Sequence, residues 1–197
     1  MAHHQEKASK GFYLRKAIHL IGGAVLVIIG NFTIQQYGIQ TTLSLAATLL
    51  LLTMIGEFLR VEYNIFPWSH AIAKEKEKHH FSSVTYALAA FIILIAVVDH
   101  RIALAAIAIA IIGDGVAAII GMTHGKHPTS INPNKTWEGF AANIIAGIIV
   151  SLLFVSLPLG IIMALVASTI ELSCSHIEDN FFTPLITAAV GTLVSIL

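Results

Sequence analysis

The stretch Ile102-Ala103-Leu104-Ala105-Ala106-Ile107-Ala108-Ile109-Ala110-Ile111-Ile112-Gly113-Asp114-Gly115-Val116-Ala117-Ala118-Ile119-Ile120 carries one charged side chain in nineteen residues. A run of that length and apolarity is what a helix needs to cross a bilayer, at ~20 residues per crossing. Similar runs lie on both sides of it, at Tyr13–Gly30, Thr42–Leu59, Val84–Val98, Phe140–Leu157, Leu159–Cys174 and Phe181–Leu197. The Leu157-Pro158-Leu159-Gly160 segment is expected to act as a turn between the fifth and sixth runs. Polar connections are expected at Asn31–Thr41, Arg60–Ser83, Asp99–Arg101, Met122–Glu138 and Ser175–Asn180, with short helical pieces plausible in Arg60–His80, where Lys74, Lys76 and Lys78 alternate with Glu75 and Glu77.

The whole chain agrees with its middle. Of 197 residues, 56% are hydrophobic and 11% charged, and the mean hydropathy is +0.83. Soluble domains carry about 25% charged residues, so a soluble enzyme, a disordered tail and a nucleic-acid-binding module are disfavoured. The expected fold is an all-α polytopic membrane protein of about seven transmembrane helices. Seven crossings occupy about 140 residues and leave no separate soluble domain, so residues 1–197 read as one integral-membrane domain with 1–12 as its tail. Any chemistry must sit in short loops and at helix ends.

Lys and Arg placement sets the expected orientation. With a cytoplasmic N-terminus, ten of the eleven basic residues (Lys7, Lys10, Arg15, Lys16, Arg60, Lys74, Lys76, Lys78, Lys126 and Lys135) fall on the inner side, and only Arg101 falls outside. The C-terminus is then outside. Nearly all polar chemistry converges on the cytoplasmic face.

Four segments carry that chemistry. Asp114, inside apolar sequence, costs roughly 2.5–3.5 kcal/mol or more unless it faces a cation, a polar cavity or a metal, and Gly113 and Gly115 allow a ligand close to the backbone. Next comes the loop Gly121–Gly139, with Gly125, Lys126, Asn134, Lys135, Thr136 and Glu138. Freed backbone amides and lysine charges suit phosphate oxygens, and the following helix N-terminus adds positive charge. An ordinary loop with Thr136 as N-cap is the plainer reading. Glu171, Glu178 and Asp179 form the third segment; carboxylates beside a phosphate loop are what magnesium uses, because it takes oxygen ligands and bridges to phosphates. The fourth is Arg15-Lys16-x-x-His19, whose spacing puts Arg15 or Lys16 on one helical face with His19. Glu57 and Arg60 are spaced for an i,i+3 ion pair. His3, His4, His70, His79, His80, His124 and His127 are scattered without zinc-ligand spacing, Phe66, Trp68 and Phe81 fit an interfacial aromatic belt, and Cys174 reads as a packing residue.

Taken in order, Arg15-Lys16-x-x-His19, Gly113-Asp114-x-x-Ala117, Gly125-Lys126, Lys135-Thr136-x-Glu138-Gly139, Glu171, and Glu178-Asp179-Asn180 with Pro184 resemble the polyprenol kinase family of dolichol kinase, phytol kinase and the CTP-dependent diacylglycerol kinases. Thr136 stands where relatives often have Ser, and the chain lacks the extra helices of eukaryotic dolichol kinases. The resemblance implies transfer of the terminal phosphate of CTP to a membrane-embedded lipid alcohol of the dolichol or polyprenol type, giving CDP and a lipid phosphate. On that reading Asp114, with Glu171 or Asp179, holds magnesium. Lys126, Lys135 and Thr136 meet the phosphates, with Gly125, Asn134 and Glu138 in the nucleotide loop, while Arg15, Lys16 and His19 complete the pocket. Asp114, Lys135 and His19 are the expected catalytic groups, and the identity of the base stays open. A cytidylyltransferase that makes a CDP-lipid needs similar acids; a small transporter would instead use Asp114 and Glu171 as intramembrane ion sites. Gly22, Gly23 and Gly147 permit close helix contact, within the chain or in a homodimer.

Overall fold

The computed structural model describes residues 10–63, 81–173 and 178–197. The helical pieces expected around Lys74–Lys78, the histidines at 3, 4, 70, 79 and 80, Phe66, Trp68 and Cys174 lie outside the described residues. Among the described residues the chain is helical: α1 (Lys10–Tyr63), α2 (Ser83–Val97), α3 (His100–Ala108), a π-helical turn (Ile109–Gly113), α4 (Asp114–His124), α5 (Trp137–Ser151), α6 (Leu157–Ser173) and α7 (Asp179–Ile196).

The first two apolar runs form the two limbs of α1, and Gly38 divides them with φ 83° and ψ 170°. Thr42 Oγ1 donates to Thr33 Oγ1 at 3.0 Å. In a straight helix these residues would stand about 13 Å apart, so the chain reverses at Gly38. The polar connection expected at Asn31–Thr41 is instead helical apart from this one residue, because its side chains satisfy the helix locally: Thr33 Oγ1 donates to the Gly30 carbonyl and Gln35 Nε2 to Asn31 Oδ1. The Gly38 backbone lies in a region essentially closed to other residues, at a cost of order 1–3 kcal/mol. A Cβ at Gly38 meets nothing within 4 Å, so the strain of a substitution is purely conformational. Gly38→Ala is expected to lower the thermal unfolding midpoint in detergent by that amount of stability; an unchanged midpoint would contradict the reversal.

His100–His124 runs as one stretch of 25 residues and occupies the centre of the bundle. Ala103, Leu104, Ala105, Ala106, Ala108 and Ile109 are wholly buried, which explains why this run is apolar on every side. Asp99 starts it, its side chain accepting from the amides of Arg101 and Ile102. Around it stand α1, α2, α7, α6 and α5, each packed on the next or on the central stretch. Contact is made through small residues, as expected where lipid supplies no hydrophobic drive. A Cβ on Gly30 would stand 2.7 Å from the Phe91 ring, and one on Gly147 would stand 3.1 Å from Ala164 and Ile109. Gly23 is likewise filled by Ile111, so Gly23 and Gly147 serve packing within the chain.

The outer face carries exposed Ile28, Val97, Ile149 and Leu153, suited to lipid. Among the described residues three helical stretches, Phe12–Tyr63, His100–His124 and Asp179–Ile196, are long and apolar enough to cross a membrane. α2, α5 and α6 are apolar but shorter. The break between the fifth and sixth runs falls earlier than the Pro158 turn expected from sequence: α5 ends at Ser151 and α6 starts at Leu157. Pro158 therefore opens a helix, where its missing N–H costs nothing, rather than ending one.

Candidate active site

The π-helical turn Ile109–Gly113 delivers Asp114 to the wall of two cavities. Such turns insert one residue into the helical register and recur at functional sites. Lys16 Nζ donates to Asp114 Oδ2 at 2.8 Å, and His19 Nε2 lies 3.8 Å from the same oxygen. The Lys16-x-x-His19 spacing thus places both groups on one face of α1 above one carboxylate.

Beside this cluster stands a second one. Lys135 Nζ donates to Glu171 Oε1 at 3.0 Å and also to the Glu171 carbonyl, while Asn143 Nδ2 donates to Glu171 Oε2. Asp114, Lys135 and Glu171 line one cavity together. Two lysines therefore neutralise two neighbouring carboxylates. Gly113 makes room for this: a Cβ there would collide with Asn143 Oδ1. That buried oxygen has no hydrogen-bond partner among the described residues, and neither does Ser168 Oγ.

The loop that supplies Lys135 is braced internally. The Thr129 amide donates to the Lys135 carbonyl at 2.9 Å, the Lys135 amide to the Asn132 carbonyl at 2.9 Å and the Trp137 amide to the His127 carbonyl at 3.0 Å. Thr136 caps α5, its Oγ1 accepting from the Gly139 amide at 3.2 Å, as the plainer sequence reading holds. A Cβ on Gly139 would stand 3.0 Å from the Ala117 carbonyl, so glycine lets α4 and α5 close on each other beside the loop.

Glu138 belongs to the loop's bracing. Its carboxylate accepts from the amides of Lys126 and His127 at 3.1 and 3.3 Å, with His127 Nδ1 2.6 Å away. It precedes the apolar run that begins at Phe140. Hydrogen bonding by its own amide, then by His127 and the loop amides, holds its carboxyl down at about 2 instead of 4.5. A carboxyl depressed on folding stabilises fully above its ordinary range and loses that contribution as pH falls from 4.5 towards 2. Glu138→Gln is therefore expected to flatten the decline of the thermal midpoint between about pH 5 and pH 3; a decline identical to that of the parent protein would remove Glu138 from this role.

The first cavity, about 540 Å³, runs between the limbs of α1 and α2, from Arg15, Lys16 and His19 past Gly22, Leu26 and Ile29 to the Thr33–Thr42 pair. It is apolar along most of its length. The second, about 510 Å³, is lined by Gly121, Gly125, Lys126, Asn134, Lys135, Thr136, Asn143, Ser168 and Glu171. Among the described residues, Asp114 is the one that lines both.

The expected site residues thus divide. Lys126, Asn134, Lys135, Thr136, Gly125 and Glu171 share the second cavity with Asp114. Arg15, Lys16 and His19 line the apolar cavity and not the glycine–lysine one. Asp179 does not join the acidic pair: among the described residues no three metal-ligating side chains gather. It is the first residue of α7, where its Oδ1 accepts from the Asn180 amide at 3.0 Å. The Glu57–Arg60 pair forms as spaced, at 2.5 Å, and it too lines the apolar cavity. Asn143 and Ser168 are additions to the sequence reading. Asn143, a buried amide in the middle of an apolar run, is the same kind of signal as Asp114.

For magnesium, the Asp114–Glu171 pair is a fitting donor set. One or two carboxylates plus substrate phosphates are its usual protein-side ligands, and the unsatisfied Asn143 oxygen adds a neutral one close by.

The sequence model of the cytidylyltransferase family matches residues 1–197. A phytol kinase of Synechocystis sp. is 30% identical over 89 residues, 40% of this chain and 38% of that protein. A probable chloroplastic phytol kinase of Oryza sativa subsp. japonica is 31% identical over 98 residues, 42% of this chain and 32% of its own length. The alignments span about a third of these curated relatives. No solved structure matches the chain.

Proposed function

The chain belongs to the cytidylyltransferase family, and from that premise we propose that it is a CTP-dependent kinase of a membrane-embedded lipid alcohol. The similarity to phytol kinases supports a long-chain isoprenoid alcohol as acceptor. The observation that carries the reading is the position of Asp114, which lines an apolar cavity on one side and a glycine- and lysine-lined cavity on the other. An alcohol lying in the first cavity brings its hydroxyl to the same carboxylate that faces a triphosphate in the second.

In the proposed reaction the alcohol oxygen forms a bond to the terminal phosphorus of CTP, and the bond from that phosphorus to the bridging oxygen breaks. CDP leaves, and the hydroxyl proton goes to the Asp114–His19 pair. Phosphoryl transfer of this kind depends on positioning and charge neutralisation more than on covalent chemistry by the protein. Lys135 and Lys126 meet the phosphates, helped by the α5 N-terminus capped at Thr136. Lys135 exchanges its carboxylate for phosphate oxygens as substrate binds. Asp114 and Glu171 would hold magnesium, which supplies charge neutralisation across the phosphates when bound. All seven apolar runs cross the membrane in this proposal, with the N-terminus and the site on the cytoplasmic side, as the basic residues indicate.

The family also admits a cytidylyl transfer, in which a lipid phosphate attacks the innermost phosphorus and pyrophosphate leaves. Product identification separates the two. Purified protein given CTP and magnesium is expected to release CDP in step with phytyl phosphate when phytol is added, and to release no pyrophosphate when phytyl phosphate is added instead. Pyrophosphate in place of CDP would overturn the kinase reading.

A further inference from the structure

The polar mouth of the apolar cavity holds more positive than negative charge. Lys16 is paired with Asp114 at 2.8 Å, and Arg60, itself 7% exposed, is paired with Glu57 at 2.5 Å. Arg15 lines the same mouth, and no carboxylate partner of it is seen among the described residues. Its Nε is buried without a hydrogen-bond partner among them, and its guanidinium carbon stands 6.0 Å above the Phe12 ring. Ser82 and Ser83, at the N-terminus of the fifteen-residue helix α2, face the mouth as well. A buried guanidinium nitrogen with no acceptor is costly, and an anion small enough to sit at the end of an apolar channel would supply one.

We propose that Arg15, with Arg60 and Lys16 around it, forms a lipid-side anion site that takes the phosphate monoester of a single-chain lipid lying in the cavity. The guanidinium fork suits phosphate oxygens, and the apolar length from Arg15 to Thr33, about 27 Å at helical rise, takes the chain. This deepens the functional reading, since it gives the lipid phosphate a place apart from the nucleotide. In a kinase the occupant is the product, held after CDP leaves; in a cytidylyl transfer it is the acceptor. Arg15 accordingly serves the lipid and not the triphosphate.

Binding without turnover tests this. Purified protein in neutral detergent is titrated with dodecyl phosphate, dodecanol, inorganic phosphate and, separately, CTP. Dodecyl phosphate is expected to bind more tightly than dodecanol or inorganic phosphate. Arg15→Gln is expected to weaken dodecyl phosphate by about tenfold or more, the scale of one charge-assisted hydrogen bond, with dodecanol and CTP unaffected, and Arg15→Lys should recover part of the loss. Unchanged dodecyl phosphate affinity in Arg15→Gln would overturn the site, as would an equal loss of CTP affinity or inorganic phosphate binding as tightly as the lipid ester. A readout on the parent protein guards against misfolding of the variants: dodecyl phosphate, but not dodecanol, should shield Arg15 from phenylglyoxal, and equal modification in both would also overturn it. Because no CTP is turned over, a protein that releases pyrophosphate would sink the kinase reading and leave this site standing.

Discussion

Asp114→Asn is expected to lower kcat for phosphate transfer from CTP to a lipid alcohol by about 10³-fold, the upper range for losing one group that stabilises transition-state charge. The substitution keeps shape and volume but removes the charge that two elements share. Lys16 donates to Asp114 at 2.8 Å, His19 stands 3.8 Å from it, and Glu171 from α6 lines the second cavity with it. An asparagine there can still accept from Lys16 but cannot take the hydroxyl proton or serve as an anionic ligand to a divalent cation. Because Lys16 is only partly buried, water covers part of its unmatched charge, so folding is expected to survive. Steady-state kinetics in detergent, with the unfolding midpoint measured alongside, checks both halves. Activity within tenfold of the parent protein would remove Asp114 from the chemistry.

The second large effect is at Lys135. Lys135→Met is expected to lower kcat/KM for CTP by about 10²–10³-fold, because the ammonium that faces Glu171 also lines the cavity assigned to the triphosphate. It should also destabilise the fold by roughly 1–3 kcal/mol, since removing the partly exposed Lys135 ammonium leaves the buried Glu171 carboxylate without its donor. A double variant separates the two effects. Lys135→Met with Glu171→Gln removes the orphaned charge and keeps an acceptor for Asn143, so stability should return while kcat/KM for CTP stays well below that of Glu171→Gln alone. If the double variant recovers activity along with stability, Lys135 is only a structural counter-ion.

How much of this was legible in the sequence differs by element. The central stretch through Asp114 was readable because nineteen nearly uncharged residues leave few alternatives, and its burial on all sides accounts for the absence of a polar face. The pairing of distant segments was legible in kind: an acid inside apolar sequence demands a partner, and Lys16 and His19 provide it. The partner's identity was not legible, because Lys135 and Lys16 look alike as charges and only the packing of α1 and α5 against the central stretch assigns each to its carboxylate. The direction of Asp179 was not legible, because proximity in sequence to Glu171 says nothing about direction once a new helix begins at that residue. Arg15 and Lys16 read alike as cations of one motif, and both line the apolar cavity. One residue along a helix turns the side chain by about 100°, enough to put Arg15 and Lys16 against different neighbours. Gly38 was hidden among polar residues that suggested a loop, and only its positive φ marks the reversal.

The claim on which the functional account rests is that a lipid hydroxyl and a terminal phosphate meet at Asp114. A structure of the ternary complex with a non-hydrolysable CTP analogue, magnesium and phytol measures this directly. The account predicts the carbinol oxygen about 3–3.5 Å from the terminal phosphorus, beside Asp114, with the isoprenoid chain between the two limbs of α1 and the phosphates against Lys135. A hydroxyl lodged at the Thr33–Thr42 end of the cavity, or phosphates bound away from Lys135, would contradict it.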